Sequence, residues 1–140
     1  KELKPLVISG VGGKSKKELD EIIEEKNLSK YVIFTDFIDD AERNTLYKNC
    51  KAFLFSSMFE GFGMPPIEAM VLGTPVVSTR CTCLEEVTCN LANYVDEPKN
   101  EIRWADILEK ELKIPSKDDI DCLLNKYDSS YIAKQYLSLF

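Results

Sequence analysis

Residues 57–70 read SMFEGFGMPPIEAM. Ahead of them Ala52–Ser56 (AFLFS) is a short apolar run of strand type, and behind them Ile67–Leu72 is apolar up to Gly73. The order is strand, glycine-bearing loop, prolines, helix and glycine stop. Two carboxylates punctuate it. Glu60 falls on the loop and Glu68 in the expected first turn of a helix spanning Pro66–Leu72. Backbone N–H groups at such a helix start can hold an anionic ligand.

Outward from this block the same alternation repeats. Leu6–Ser9 (LVIS), Tyr31–Thr35 (YVIFT), Pro75–Ser78 (PVVS) and Asn93–Val95 (NYV) read as further strands. Helical spacing separates them. Leu19, Ile22 and Ile23 mark one helix, expected to be capped by Ser15. Asp39–Cys50 is another, with Ala41, Leu46, Tyr47 and Cys50 as its inner face, and Leu84–Val87 is a helical turn. The strands are apolar on both faces rather than alternating, as in a parallel sheet covered on both sides. Beyond Asn100 only helices are expected, marked by Ile102, Ala105, Ile107 and Leu108, then Ile120, Leu123 and Leu124, then Tyr131, Ile132, Tyr136, Leu137 and Phe140. The expected fold is α/β, a Rossmann-like three-layer domain with a mostly parallel sheet of about five strands followed by C-terminal helices. No linker or repeat divides residues 1–140 into two domains.

Composition narrows the partners. The 140 residues carry a net charge of −6, which argues against nucleic acid or an anionic membrane as the main partner. No apolar run approaches the roughly 20 residues of a membrane span. An odd count of five cysteines points to free thiols in a reducing, cytoplasmic compartment. Cys81, Cys83 and Cys89 cluster, but not at a zinc spacing, and the chain has no histidine. They read as loop and core thiols, with no metal expected. The missing histidine also removes any histidine general base.

Two other motifs fall short. Gly10–Ser15 (GVGGKS) has Ile8 where a P-loop needs its first glycine, and Ser15 where a dinucleotide fingerprint needs its third. The segment reads as a strand-to-helix turn, with direct phosphate contact as the alternative. Glu60 and Glu68 could be the acid and base of a hydrolase, but sequence spacing does not fix the distance between carboxyl groups. Singly, Glu68 would be a helix-start carboxylate worth about 0.3–1 kcal/mol and Glu60 a solvated loop residue. Together with the glycines, prolines and aromatics they ask for more.

The stretch FLFSSMFEGFGMPPIEAMVLGTPVVSTR resembles the donor-binding half of retaining glycosyltransferases of the GT-B fold, family 4. Those proteins carry Glu-x7-Glu after the fourth strand of the C-terminal domain, followed by G-x-PVV. LVISGVGG and YVIFTDFIDD resemble that domain's second and third strands, and CLEEVTCNLANYVDEP its approach to the last strand. The resemblance covers essentially the whole chain. It implies transfer of a sugar from a nucleotide diphosphate sugar to an acceptor hydroxyl with retention, in polysaccharide or glycoconjugate synthesis, with no cofactor or metal. Glu60 matches the glutamate beside the donor sugar and reaction centre. Gly61, Phe62, Gly63 and Met64 match donor-binding positions, the last three through backbone N–H groups that meet sugar hydroxyls and diphosphate. Glu68 matches the ribose-binding glutamate, and Ile38 a position whose backbone meets the base.

Departures from the pattern are Asp36 for glycine, Ser56 for proline, Glu85 for proline and Cys89 near a usual glycine. The family's first strand, its phosphate-neutralising Arg/Lys pair and its N-terminal acceptor domain would all precede Lys1. The chain is therefore expected to be a partial C-terminal domain, inactive alone. The full-length protein would lie in the cytoplasm, free or at the cytoplasmic face of a membrane, and would take a sugar or lipid-linked acceptor through the missing domain. Without the first strand, either the first and third strands become neighbours or a gap is left between them. Rival readings are a non-catalytic nucleotide-binding or interaction module of the same ancestry, and an unrelated receiver-type domain. The latter wants an aspartate where Ser56–Ser57 stand.

Overall fold

A computed structural model describes residues 4–10 and 12–140. Val11, inside the GVGGKS turn, lies outside the described residues. The strands are β1 (Leu6–Ser9), β2 (Val32–Thr35), β3 (Phe53–Phe55), β4 (Val76–Thr79) and β5 (Asn93–Val95). The helices are α1 (Gly13–Glu25), α2 (Asp40–Asn49), α3 (Met64–Val71), α4 (Leu84–Val87), α5 (Glu101–Leu108), α6 (Lys117–Lys126) and α7 (Ser129–Leu137). Every strand ladder is parallel. The α/β alternation and the C-terminal helices are those expected.

The ladders fall into two sets, β1–β2 and β3–β4–β5. Among the described residues no ladder joins β1 to β3. Packing likewise divides the chain into two compact units, residues 1–43 and 44–140, the division falling within α2.

In the first unit Leu6 pairs with Val32 and Ser9 with Thr35. The runs are apolar, yet Leu6, Val7 and Ile33 are exposed. Two short strands and one helix lack the surface to cover both faces of a ladder. Gly12 caps α1 without a side-chain bond, so the helix starts at Gly13 and Ser15 lies within it, not at its cap. Glycine is an acceptable N-cap, and the helix takes the earliest start the turn allows. Asp39 and Glu42 cap α2 reciprocally: the Glu42 N–H donates to Asp39 Oδ1 at 2.8 Å, and the Asp39 N–H to Glu42 Oε2 at 3.0 Å.

The second unit holds the core. β4 lies between β3 and β5, and all four of its residues, Val76–Thr79, are buried. Pro66, Ile67, Ala69 and Met70 of α3 are buried, as are Leu84, Val87 and, from α6, Leu123. Of the expected inner face of α2 only Tyr47 is buried; Ala41 and Cys50 are exposed. Tyr47 is held by an edge-on ring contact with Phe53, and its carbonyl accepts from the Thr74 hydroxyl. Leu124 and Ile102 also face solvent instead of packing inward. α6 opens with a full capping box, Ser116 with Asp119.

Candidate functional site

β3 ends at Phe55, and the chain then crosses residues 56–63 before α3 begins at Met64. The helix starts two residues earlier than expected because proline is tolerated in a first turn, where the N–H it lacks would find no helical acceptor. Glu68 is therefore the fifth residue of α3, past its first turn, and is corrected from the first-turn position read in the sequence. The macrodipole fades over that distance, so dipole complementarity does little for Glu68.

What α3 gives Glu68 instead is a face. Met64, Glu68 and Val71 stand at i, i+4 and i+7, the first and last exposed and Glu68 half-buried. Side chains on a helix cover the turn N-terminal to their own Cα, so this stripe is continuous with Met64 and the loop. The opposite side of α3 is the buried one. Glu60 is also half-buried, and it sits on the loop itself.

Gly63 is the N-cap of α3, with φ 94° and ψ 56°. That left-handed backbone suits glycine. A Cβ there would also stand 2.6 Å from Leu84 Cδ2. Gly61 differs: a Cβ would meet nothing within 4 Å. Pro65 and Pro66 remove two N–H groups from the helix start. The donors left there are those of Gly61, Phe62, Gly63 and Met64, and among the described residues none of these four N–H groups bonds to protein. A string of unbonded N–H groups along a loop and helix start is suited to oxyanions.

The loop is braced by the segment after β4. Thr79 Oγ1 donates to the Ser57 carbonyl at 2.6 Å, and Ser57 Oγ to the Phe59 carbonyl at 3.1 Å. The Glu60 N–H donates to Thr82 Oγ1 at 3.2 Å, while the Thr82 hydroxyl lies 3.0 Å from the Glu60 carbonyl and 2.8 Å from that of Cys81. Cys83 Sγ lies 3.4 Å from the Glu60 carbonyl and 3.3 Å from that of Phe62. Behind the loop, Phe62 meets Tyr127 edge-on, centroids 5.2 Å apart, and the Tyr127 hydroxyl donates to the Val87 carbonyl at 2.8 Å. Burial pushes the Tyr127 phenol up. Sequence reasoning missed Thr82, Cys83 and Tyr127 as supports, because nothing local marks a side chain that bonds backbone 21 or more residues away.

Arg80, just past β4, lies over the Tyr94 ring and pairs with Asp96 and Glu85. Its guanidinium is held above its ordinary value first by the hydrogen bond to Asp96. Glu85, a departure from the expected proline, thus serves as a partner for Arg80. Ile38 belongs to the first unit and is half-buried there, immediately before the α2 capping pair. Asp36 is exposed. Among the described residues no cluster of three His, Cys, Asp or Glu forms a metal-ligand set, and no helix is long and apolar enough to cross a membrane.

Residues 4–121 match the family described as Glycosyl transferases group 1. O-antigen chain mannosyltransferase B of Escherichia coli is 32% identical over 96 residues, covering 69% of this chain and 25% of that protein. O-antigen chain mannosyltransferase RfbU of Salmonella typhimurium is 32% identical over 113 residues, covering 81% of this chain and 31% of that protein. Among solved structures, sucrose-phosphate synthase from Thermosynechococcus elongatus superposes with a TM-score of 0.78 at 22% identity, covering 95% of this chain and 37% of that one. The chain thus spans about a quarter to a third of the two mannosyltransferases.

Proposed function

The chain belongs to the group 1 glycosyl transferases, with the α/β architecture of a GT-B half, and from that premise we propose that it is the donor-binding part of a retaining hexosyltransferase. Its place in the whole protein would be within the C-terminal domain, and its donor a nucleoside diphosphate sugar. Mannose is the first sugar to test, since both relatives named above are mannosyltransferases.

One observation carries this reading. The loop between β3 and α3 sets the N–H groups of Gly61–Met64, unbonded among the described residues, between two half-buried carboxylates, Glu60 and Glu68. A diphosphate suits the N–H groups. A carboxylate suits a vicinal diol, because it accepts from two neighbouring hydroxyls. Glu68, on the open stripe of α3, is assigned to the ribose. Glu60, on the loop, is assigned to the transferring sugar. The role of Ile38 as a backbone contact to the base rests on the sequence resemblance alone.

In the reaction the bond between the anomeric carbon and the diphosphate oxygen breaks, and the acceptor oxygen bonds to that carbon on the same face. The acceptor hydroxyl's proton leaves with the diphosphate. Charge develops on the departing oxygen, so N–H donors aimed there lower the barrier. Losing one donor from the oxyanion hole of an acyl-transfer enzyme costs about 3–4 kcal/mol, which sets the scale for one such N–H here.

The test is transfer by the full-length protein from mannosyl nucleoside diphosphates with guanine, uracil and adenine bases. Glu68→Ala should raise the dissociation constant of the donor, while Glu60→Ala should lower kcat with donor affinity nearly kept. Unchanged donor affinity in Glu68→Ala would sink the ribose assignment. A full-length protein that binds donor but transfers nothing would favour a non-catalytic nucleotide-binding module.

A further inference from the structure

Thr82 is β-branched, yet its φ is 54°. A β-branched residue in the left-handed region is a genuine outlier, and such strain persists only where the surroundings over-determine it. Here the surroundings are Glu60. Its N–H donates to Thr82 Oγ1, and its carbonyl lies within reach of both the Thr82 hydroxyl and the Cys83 thiol. The thiol also reaches the Phe62 carbonyl. Each hydroxyl or thiol has one proton, so the Thr82 proton goes to Glu60 or Cys81 and the Cys83 proton to Glu60 or Phe62. In every arrangement the Glu60 N–H stays tied to Thr82, and the Glu60 carbonyl is tied to 82–83 whenever either proton turns to it. With those carbonyls turned toward Cys83, the neighbouring N–H groups of Phe62 and Gly63 have no acceptor among the described residues.

We propose that Thr82 and Cys83 are positioning residues: they hold the Glu60–Gly63 backbone so that its N–H groups and the Glu60 side chain are preset for the donor. The proposal rests on the transferase reading above for its functional half, and on geometry alone for its positional half. A strained threonine is retained because its hydroxyl performs a task that glycine, the relaxed residue for this backbone, has no atom to perform.

Three variants of the full-length protein separate this from simple stability. Thr82→Ser keeps the hydroxyl. Thr82→Gly relieves the backbone but loses the hydroxyl. Cys83→Ala removes the thiol proton. The readouts are thermal midpoint, hydrogen exchange at the Glu60 amide, and kcat and KM with the active donor. Thr82→Gly should keep its midpoint within a few degrees, yet exchange at the Glu60 amide should speed at least tenfold and kcat fall by about tenfold or more, since a displacement near 1 Å can cost up to about a hundredfold. Thr82→Ser should keep both near wild type, and Cys83→Ala should show the same effects in weaker form.

Unchanged exchange in Thr82→Gly overturns the positioning role. Faster exchange with full turnover overturns its link to catalysis. A drop in midpoint that tracks the turnover loss also overturns it, because fold stability alone would then account for the effect. If the wild type transfers no sugar but the exchange difference is present, the clamp is supported and the transferase reading fails.

Discussion

Gly63→Ala is the sharpest perturbation this structure offers, because two independent costs meet at one atom. Placing alanine at φ 94° forces a side chain into left-handed backbone, which costs about 1–2 kcal/mol. The added Cβ would then lie 2.6 Å from Leu84 Cδ2. That methyl is the far end of a side chain, but Leu84 is fully buried beneath the loop, so its rotation meets packed neighbours. Overpacking of this kind adds about 1–3 kcal/mol. The sum is about 2–5 kcal/mol, a large share of the roughly 5–15 kcal/mol that holds a domain folded. Gly61→Ala is the internal control. Nothing stands within 4 Å of its Cβ, so it should be neutral or stabilise by about 0.4–1 kcal/mol. Urea unfolding followed by the single tryptophan, Trp104, reads both, and its half-buried indole N–H donates to the Pro98 carbonyl at 3.0 Å. Adding Leu84→Val to Gly63→Ala should recover the overlap part, a coupling of about 1–3 kcal/mol, and leave the backbone part. Equal stability of the two glycine variants, or no coupling with Leu84→Val, would refute the reasoning.

Other outcomes follow from the same second unit. Tyr127→Phe should cost about 0.5–1.5 kcal/mol by losing the bond to the Val87 carbonyl, with the ring contact to Phe62 kept, and Tyr127→Ala should cost clearly more in the same urea titration. Ser116→Ala should cost about 0.5–2 kcal/mol through the lost cap of α6, seen as a lower urea midpoint. The Asp119 carboxyl is held below its ordinary value first by the Ser116 hydroxyl and then by the Ser116 N–H. Its folded pKa is the lower one, so its stabilisation is complete above the unfolded aspartate range and is lost as pH falls through the folded value. Glu97, lowered first by Asn100 and then by Arg103, acts in the same direction. Midpoints recorded from neutral pH into the acid range should therefore fall, and fall less steeply in Ser116→Ala.

The strands were legible because each is a short apolar run fenced by glycine, proline or polar residues, and β4, VVST, is apolar enough to be buried throughout. The sequence signals place the start of α1 three residues late and that of α3 two residues late. Gly12 and Gly63 cap α1 and α3 without side-chain bonds, so the usual cap signal was absent and Ser15 and Pro66 drew attention in its place. Ala41 and Cys50 were placed inside by spacing alone, but α2 turns only Tyr47 fully inward. At the candidate site the motif was visible, since Glu60, the glycines and Glu68 are contiguous. The inequality of Gly61 and Gly63 was not, because a backbone angle and a buried leucine decide it. The supports at Thr82, Cys83 and Tyr127 depend on how distant segments pack, and no spacing rule reaches that far.

Pro65 and Pro66 carry a last consequence. Starting a helix is the costly step, since several dihedrals must be fixed before hydrogen bonding compensates. Two prolines with φ near the helical value have surrendered that freedom in the unfolded chain already. The start of α3 is thereby ordered cheaply, the Glu60 and Phe62 backbone is bonded to 82–83, and the side-chain entropy still to be lost lies with Met58 and Phe59, which stand exposed. A ligand arriving at this loop would meet one end already fixed and would have to quiet only the other. Its affinity would then depend on how far it immobilises Met58 and Phe59, and calorimetry should find the unfavourable entropy of binding shrinking when these two are replaced by less flexible residues.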